Sequence, residues 1–263
     1  MTDGVRTRPQ RATNLFVELS PGDRIEEGAE WLDGADGMVI DREAGATVLE
    51  HATTAHGDCI VRDADPDAMS GLRDRAGARW VHGGGLDAAL RMRDAWPDLD
   101  WVPYVEVYRP ETRFDFQRAA PGEGFSMYMP DTATIQGFRI AGAEREPVEA
   151  WLSRAVAEGF RCVWLHGRDA AAADQGADIE MLARARRHFA GGRIWLSGGI
   201  AEPRHLKTLA REGGAKAAVI PATVARQWGC ATLAEALVLD PPTGRPIAPG
   251  SRSSPCGPVR NMA

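Results

Sequence analysis

The chain has 263 residues, with 31 Lys and Arg against 37 Asp and Glu, giving a formal charge of −6. At 44% hydrophobic and 26% charged residues it has the balance of a globular protein, and its length suits one large domain or two small ones. The acidic balance argues against nonspecific nucleic-acid binding, and no apolar run approaches the roughly 20 residues that cross a bilayer.

In chain order, residues 1–13 are polar and aperiodic and read as an unstructured segment. They are basic, but no apolar h-region follows, so no signal peptide is expected. Strand-like runs come next: NLFVEL (14–19), DGMVID (36–41), DCIV (58–61), RWVH (79–82) and DWVPYVEV (100–107). GFSMYM (124–129), RCVWLH (161–166), RIWLS (193–197) and AAVIP (217–221) complete the set. Most are continuously apolar, as parallel strands covered on both faces are. Between them, 86–96, 147–160, 178–189 and 203–214 space apolar residues by three and four, the helical period. Gly159 and Gly213 close two of these helices before the next strand. The tail 239–263 is rich in Pro, Gly and Ser and reads as unstructured, which leaves 14–238 as one folded unit. Strands alternating with helices imply a parallel sheet with right-handed crossovers.

An internal repeat selects the architecture. WVHGGGLDAALRMRDA, from Trp80, resembles WLSGGIAEPRHLKTLA, from Trp195, at an offset of 115 residues, with Gly83 and Gly84 over Gly198 and Gly199. Four βα units of about 30 residues give nearly that spacing. The expectation is a single (β/α)8 TIM barrel of two similar half-barrels, with the glycine turns after strands 3 and 7. Nine candidates exceed eight positions, so one of 36–41 and 58–61 is expected to be a loop or an added strand. A Gly-Gly turn at the carboxyl end of a strand lets backbone N–H groups meet an anion. Gly83, Gly84, Gly85, Gly198 and Gly199, with Ala222 and Thr223 after the last strand, are therefore read as phosphate-binding. Gly199→Asp is expected to abolish that binding with little loss of stability.

These segments together resemble the histidine-biosynthesis barrels, namely phosphoribosylformimino-AICAR ribonucleotide isomerase and the cyclase subunit of imidazole glycerol phosphate synthase. The resemblance covers roughly 14–238 and is carried by HGGGLDAALRM, PDTATIQGF, RCVWLHGRDAAAADQGADIEML and the WLSGGIAEP…AVIPATV ending. It implies isomerisation or cyclisation of a phosphorylated ribonucleotide by an acid at the end of strand 1 and another at strand 5. Those positions are Glu18 and, in the turn after Met129, Asp131. Three departures stand out. The strand 6 motif reads His166-Gly167-Arg168-Asp169, keeping only its second Asp; Leu86-Asp87 replaces the isomerases' Ile-Arg; and Pro103, Tyr104 and Glu106 replace small residues near phosphate. Glu106 would repel an anion, so a bisphosphorylated substrate is disfavoured.

Opposed carboxylates suit sugar-phosphate isomerisation, one taking a proton while the other gives one. Glu18 and Asp131 are read as that pair, with His166 and Asp169 as further catalytic candidates. His82 ends a strand near the same mouth, and its plainer reading is a loop hydrogen bond. Asp169 either orients substrate or caps the helix that begins near Asp178. No HxH or HExxH spacing occurs, so no metal site is expected, and no cofactor is implied. Lys207 and Lys216 end no strand at the mouth, which argues against Schiff-base chemistry. Trp80, Trp101, Trp164 and Trp195 read as packing between barrel and helices. Cys59, Cys162, Cys230 and Cys256 form no CxxC pair and read as reduced thiols in a cytoplasmic protein. Two functions remain open: an isomerase-like enzyme for a phosphorylated sugar, aminosugar or cofactor precursor, and a non-catalytic phosphate-ligand-binding barrel or assembly subunit. The expected partner is a phosphorylated small molecule, with no nucleic acid and no membrane. Assembly is left open between a homo-oligomer and a biosynthetic partner subunit.

Overall fold

The computed structural model describes residues 13–23, 25, 29–54, 57–110, 137–142, 145–174, 176–212 and 214–236. The chain begins with β1 (Asn14–Glu18), a 3-10 turn at Glu30–Gly34, β2 (Gly37–Asp41), α1 (Ala46–Thr54), β3 (Asp58–Arg62) and α2 (Ser70–Arg73). It continues with β4 (Arg79–His82), α3 (Gly85–Ala95), β5 (Asp100–Tyr108), β6 (Arg139–Ile140), α4 (Val148–Ala157) and β7 (Cys162–Gly167). Then follow α5 (Arg168–Ala173), α6 (Ile179–His188), β8 (Arg193–Ser197), α7 (Pro203–Glu212), β9 (Ala215–Pro221) and α8 (Ala222–Ala236). The backbone turns inside α8 at Gly229, where φ is 72°.

The fold is a closed (β/α)8 barrel. β1, β2, β3, β4, β5, β7, β8 and β9 form a ring of parallel pairs, closed by β4 against β5 and by β9 against β1. β6 is a two-residue antiparallel appendage on the end of β5, with Val107 opposite Ile140. Both 36–41 and 58–61 are therefore barrel strands, β2 and β3, contrary to the expectation that one of them is surplus. The candidate at 124–129 lies outside the described residues, and the ring closes without it because β5 pairs directly with β7.

This recount moves the repeat. The first glycine turn follows the fourth ring strand and the second follows the seventh, so the 115-residue offset spans three positions rather than four. The long connection from Tyr108 to Cys162 supplies the extra length. It also makes β5, which carries Glu106, the strand opposite β1 and Glu18.

Two apolar layers hold the ring. The outer one packs strand residues such as Leu15, Val17, Ile40, Val61 and Leu165 under helix residues such as Trp151, Leu152, Leu182 and Leu206. The inner one fills the lumen with Phe16, Val39, Ile60, Val81, Val102, Cys162, Trp164, Trp195, Ala217 and Val219. Trp80 and Trp101 pack outward as expected, whereas Trp164 and Trp195 belong to the lumen. The period of two in a strand then sends every second residue beyond the inner layer into the carboxyl-end mouth: Glu18, Asp41, Arg62, Glu106, His166 and Ser197. Thr13, placed by sequence in the unstructured segment, is buried and donates its hydroxyl to the Ala215 carbonyl at 3.0 Å. The remaining residues of the 1–13 segment and the 239–263 tail lie outside the described residues.

Candidate functional site

The mouth opens on a cavity of about 630 Å³ whose walls are mostly polar. Arg62, from the end of β3, stands in it among three carboxylates. It donates to Glu18 Oε1, lies 3.6 Å from Asp41 Oδ2, and approaches Asp63 Oδ2 at 4.0 Å. Its guanidinium also sits 5.8 Å from the centre of the Trp164 ring. Burial pushes the Arg62 guanidinium towards losing its proton, but the charge and hydrogen bond of Glu18, joined by Tyr104 and Asp41, together more than offset this, and the group is held above its ordinary value. Glu18 thus faces the mouth, as sequence placed it, but as the partner of Arg62.

Glu106 and His166 are register partners on the adjacent strands β5 and β7, and both line the cavity. His166 is fixed from behind. Trp164 Nε1–H donates to Ser197 Oγ at 2.8 Å, and Ser197 Oγ lies 2.8 Å from His166 Nδ1. The indole nitrogen can only donate, and Nδ1 is the one acceptor that the described contacts give the buried Ser197 hydroxyl, so the arrangement that leaves no proton unmet has the hydroxyl donating to Nδ1. In the neutral imidazole the ring proton then sits on Nε2. Burial, together with the Arg62 charge, lowers the His166 pKa below its ordinary value; Glu106 and Glu18 pull the other way without cancelling it. The imidazole is therefore neutral at pH 7 and carries one N–H that a ligand can use.

Tyr104 lies below Glu106 on β5, edge-on to Trp164 with ring centres 4.9 Å apart. Burial first, and then the neighbouring Glu106, raise its pKa, so the phenol keeps its proton. His82 and Asp63 close the far wall. Asp63, in the left-handed region at φ 53°, accepts the Gly83 N–H at 2.6 Å, and His82 Nδ1 accepts the Gly84 N–H at 3.0 Å. His82 thus takes its loop hydrogen bond. Two of the three N–H groups assigned to an anion at Gly83–Gly85 are occupied, one of them by a carboxylate.

The second glycine turn is built differently. Gly198 and Gly199 adopt φ 96° and 77°, and a Cβ would lie 2.3 Å from the Gly167 carbonyl oxygen at the end of β7 in the first case and 2.3 Å from the Gly176 carbonyl oxygen before α6 in the second. These glycines are required by close backbone approach, whatever else the turn does. Ala222 and Thr223 open α8 directly after β9, whose last residue Pro221 pairs with Glu18, so this helix N-terminus stands at the same mouth.

Asp169 holds the chain rather than the mouth. Its carboxylate accepts the Arg109 backbone N–H at 2.5 Å, where β5 ends, and the Arg109 guanidinium reaches Glu180 at 2.7 Å. The helix near Asp178 is capped by Asp178 itself, which accepts the Met181 N–H at 2.9 Å. Asp131 lies outside the described residues. The acids and donors that sequence reasoning missed are Glu106, taken only as a phosphate-repelling departure, and Arg62 and Ser197. What they share is parity, each sitting an even number of residues beyond a lumen residue of its own strand, and that parity can be read only once the closed barrel fixes which face is the lumen.

Among the described residues, no group of His, Cys, Asp and Glu side chains could hold a metal ion. No described helix is long and apolar enough to cross a membrane. Cys59 and Cys162 are buried free thiols, pushed by burial up to about 11 and about 12, and so are not nucleophiles at neutral pH. Fold and site together define a (β/α)8 barrel whose carboxyl-end mouth joins carboxylates, an imidazole and a guanidinium. Neither the protein-family models nor the curated proteins contain a match to this chain.

Proposed function

We propose that this barrel is an isomerase-like enzyme that moves a proton on a small phosphorylated sugar, aminosugar or cofactor precursor. The observation that carries the reading is the pairing of Glu106 with a neutral, tautomer-fixed His166 on adjacent strands, beside Arg62. A carboxylate can take the proton from a carbon next to a carbonyl or imine. An imidazole Nε2–H can donate to the atom on which charge then develops, and the guanidinium stabilises that charge. Glu18 holds Arg62 in place, so in this reading it positions the cation and Glu106 acts as the base. Carboxyl-end strand residues are where this fold carries its chemistry.

A phosphate group is assigned to the Gly198–Gly199 and Ala222–Thr223 side, because Asp63 stands against the Gly83–Gly85 side. The open N–H groups of a helix start and the resemblance of this ending to phosphate-binding barrels support that choice. The test incubates the protein in D2O with a panel of aldose, ketose and amino-sugar monophosphates and follows loss of carbon-bound proton signals by NMR. Exchange is expected with at least one member, falling at least about a hundredfold in Glu106→Gln, the low end of typical acid–base contributions. Exchange that persists in Glu106→Gln would overturn the assignment of the base.

A further inference from the structure

Tyr104 occupies the step between the filled lumen and the open mouth. It lies two residues beyond the lumen residue Val102 and two before Glu106, so the period of two in a strand turns all three side chains to the inner face. Its half-buried ring packs edge-on against Trp164, with centres 4.9 Å apart, and lines the mouth cavity. The His166 ring, on the neighbouring strand, lies 6.3 Å from it, centre to centre.

The Tyr104 hydroxyl has no hydrogen-bond partner among the described residues, and it is not one of their sealed polar atoms, as the indole nitrogens of Trp80 and Trp151 are. The charged groups that act on it are Glu106, Arg62, Glu18 and Asp63. All four stand at the mouth, which places the hydroxyl there rather than in the packed lumen. Of the donors grouped around Trp164, Arg62 is engaged by Glu18 and Asp41, and Ser197 by His166. That leaves the Tyr104 O–H and the His166 Nε2–H free to meet a ligand.

We propose that Tyr104 is a further catalytic residue: its O–H and the His166 Nε2–H hold one substrate oxygen between them, the carbonyl oxygen beside the carbon whose proton goes to Glu106. The inference rests on the mouth being an isomerase-like site, and it narrows the substrate. A carbonyl oxygen has two lone pairs and accepts both donors, whereas an imine nitrogen has one and accepts a single donor. The substrate is therefore an open-chain aldehyde or ketone. As the proton passes to the Glu106 carboxylate, the C–H electron pair becomes a carbon–carbon π bond and the carbonyl π pair moves onto the oxygen. Both donors keep their protons, and their hydrogen bonds strengthen as that oxygen becomes charged. Return of the proton from Glu106 to carbon reverses the step.

The test is Tyr104→Phe in the full chain, which keeps the ring against Trp164 and should melt as the wild type does. Proton exchange with the monophosphate panel in D2O should fall about a hundredfold, as for loss of one donor to a developing oxyanion. A second arm needs no turnover and titrates phosphoglycolohydroxamate, which offers a planar carbonyl oxygen, against glycerol 3-phosphate, which offers none. Tyr104→Phe should weaken the hydroxamate about tenfold, one hydrogen bond's worth, and leave glycerol 3-phosphate unchanged. Exchange undiminished in Tyr104→Phe, equal effects on the two probes, or a wild type that does not bind the hydroxamate would each overturn the proposal. If exchange needs Glu106 but not Tyr104, the isomerase-like reading stands and this inference falls. If the hydroxamate discriminates as expected and no panel member exchanges, the reading of Glu106 as base fails while the pair of donors stands.

Discussion

Ser197→Ala probes the part of the mouth where structure and chemistry are most tightly joined. Ser197 is buried, accepts the Trp164 indole N–H and meets His166 Nδ1, each at 2.8 Å. Alanine removes both contacts and leaves a space too small to restore them. Trp164 is fully buried, so its donor loses its partner outright, whereas half-buried His166 can recover part of its bond from water. With roughly 1–3 kcal/mol for an orphaned buried group, the expected loss is about 2–3 kcal/mol. For a domain of this size that corresponds to a fall in Tm of roughly 5–10 °C. Calorimetry at pH 7.5, where His166 is neutral, measures it, and 15N NMR of the imidazole reads the tautomer in parallel. The wild type should show the proton on Nε2, and the variant a mixture of both tautomers. A Tm unchanged by the substitution, or a wild-type imidazole protonated on Nδ1, would refute the hydrogen-bond chain and the role given to His166.

Gly199→Asp, which sequence alone predicts to be tolerated, should instead cost stability. Its Cβ would lie 2.3 Å from the Gly176 carbonyl oxygen and 2.7 Å from that of Ala170, at φ 77°. Backbone strain and overlap together should cost about 3 kcal/mol or more in a urea melt, and a wild-type midpoint would contradict the packing. Stability should also depend on pH through His166. Burial lowers its pKa in the folded chain below the ordinary 6.5, so on acidification the unfolded chain takes up the proton first. That contribution is complete above pH 6.5 and is lost as the pH falls towards the folded value. Urea melts at pH 7.5 and 5.5 should therefore differ less in His166→Gln than in the wild type, and an equal or larger difference would show that His166 is not the group responsible.

The sequence by itself determined the class of fold. Short continuous apolar runs such as RCVWLH and RIWLS, set between helical patterns, fit strands covered on both faces, and the three-and-four spacing of 147–160 or 203–214 fits helices that bury one side. It also placed Glu18 and His166 at strand ends, because a charged or polar residue closing an apolar run has to reach solvent or a partner. What it left undecided was the ring. A continuously apolar strand gives no alternation to tell lumen from outer face, so Trp164 and Trp195 could not be told apart from Trp80 and Trp101 until the barrel closed. Strand number had the same difficulty, since 36–41, 58–61 and 124–129 have equal local claims and only the pairing of β5 with β7 and of β2 with β3 counts them. That count decides which residue faces which. It sets Glu106 across from Glu18 and brings Arg62, Ser197 and His166 from three separate strands to one mouth. The contacts of His166 with Ser197 and of Glu18 with Arg62 depend on the register of neighbouring strands, and the placing of Glu106 across from Glu18 depends on closure, which is a property of the whole ring rather than of any one segment.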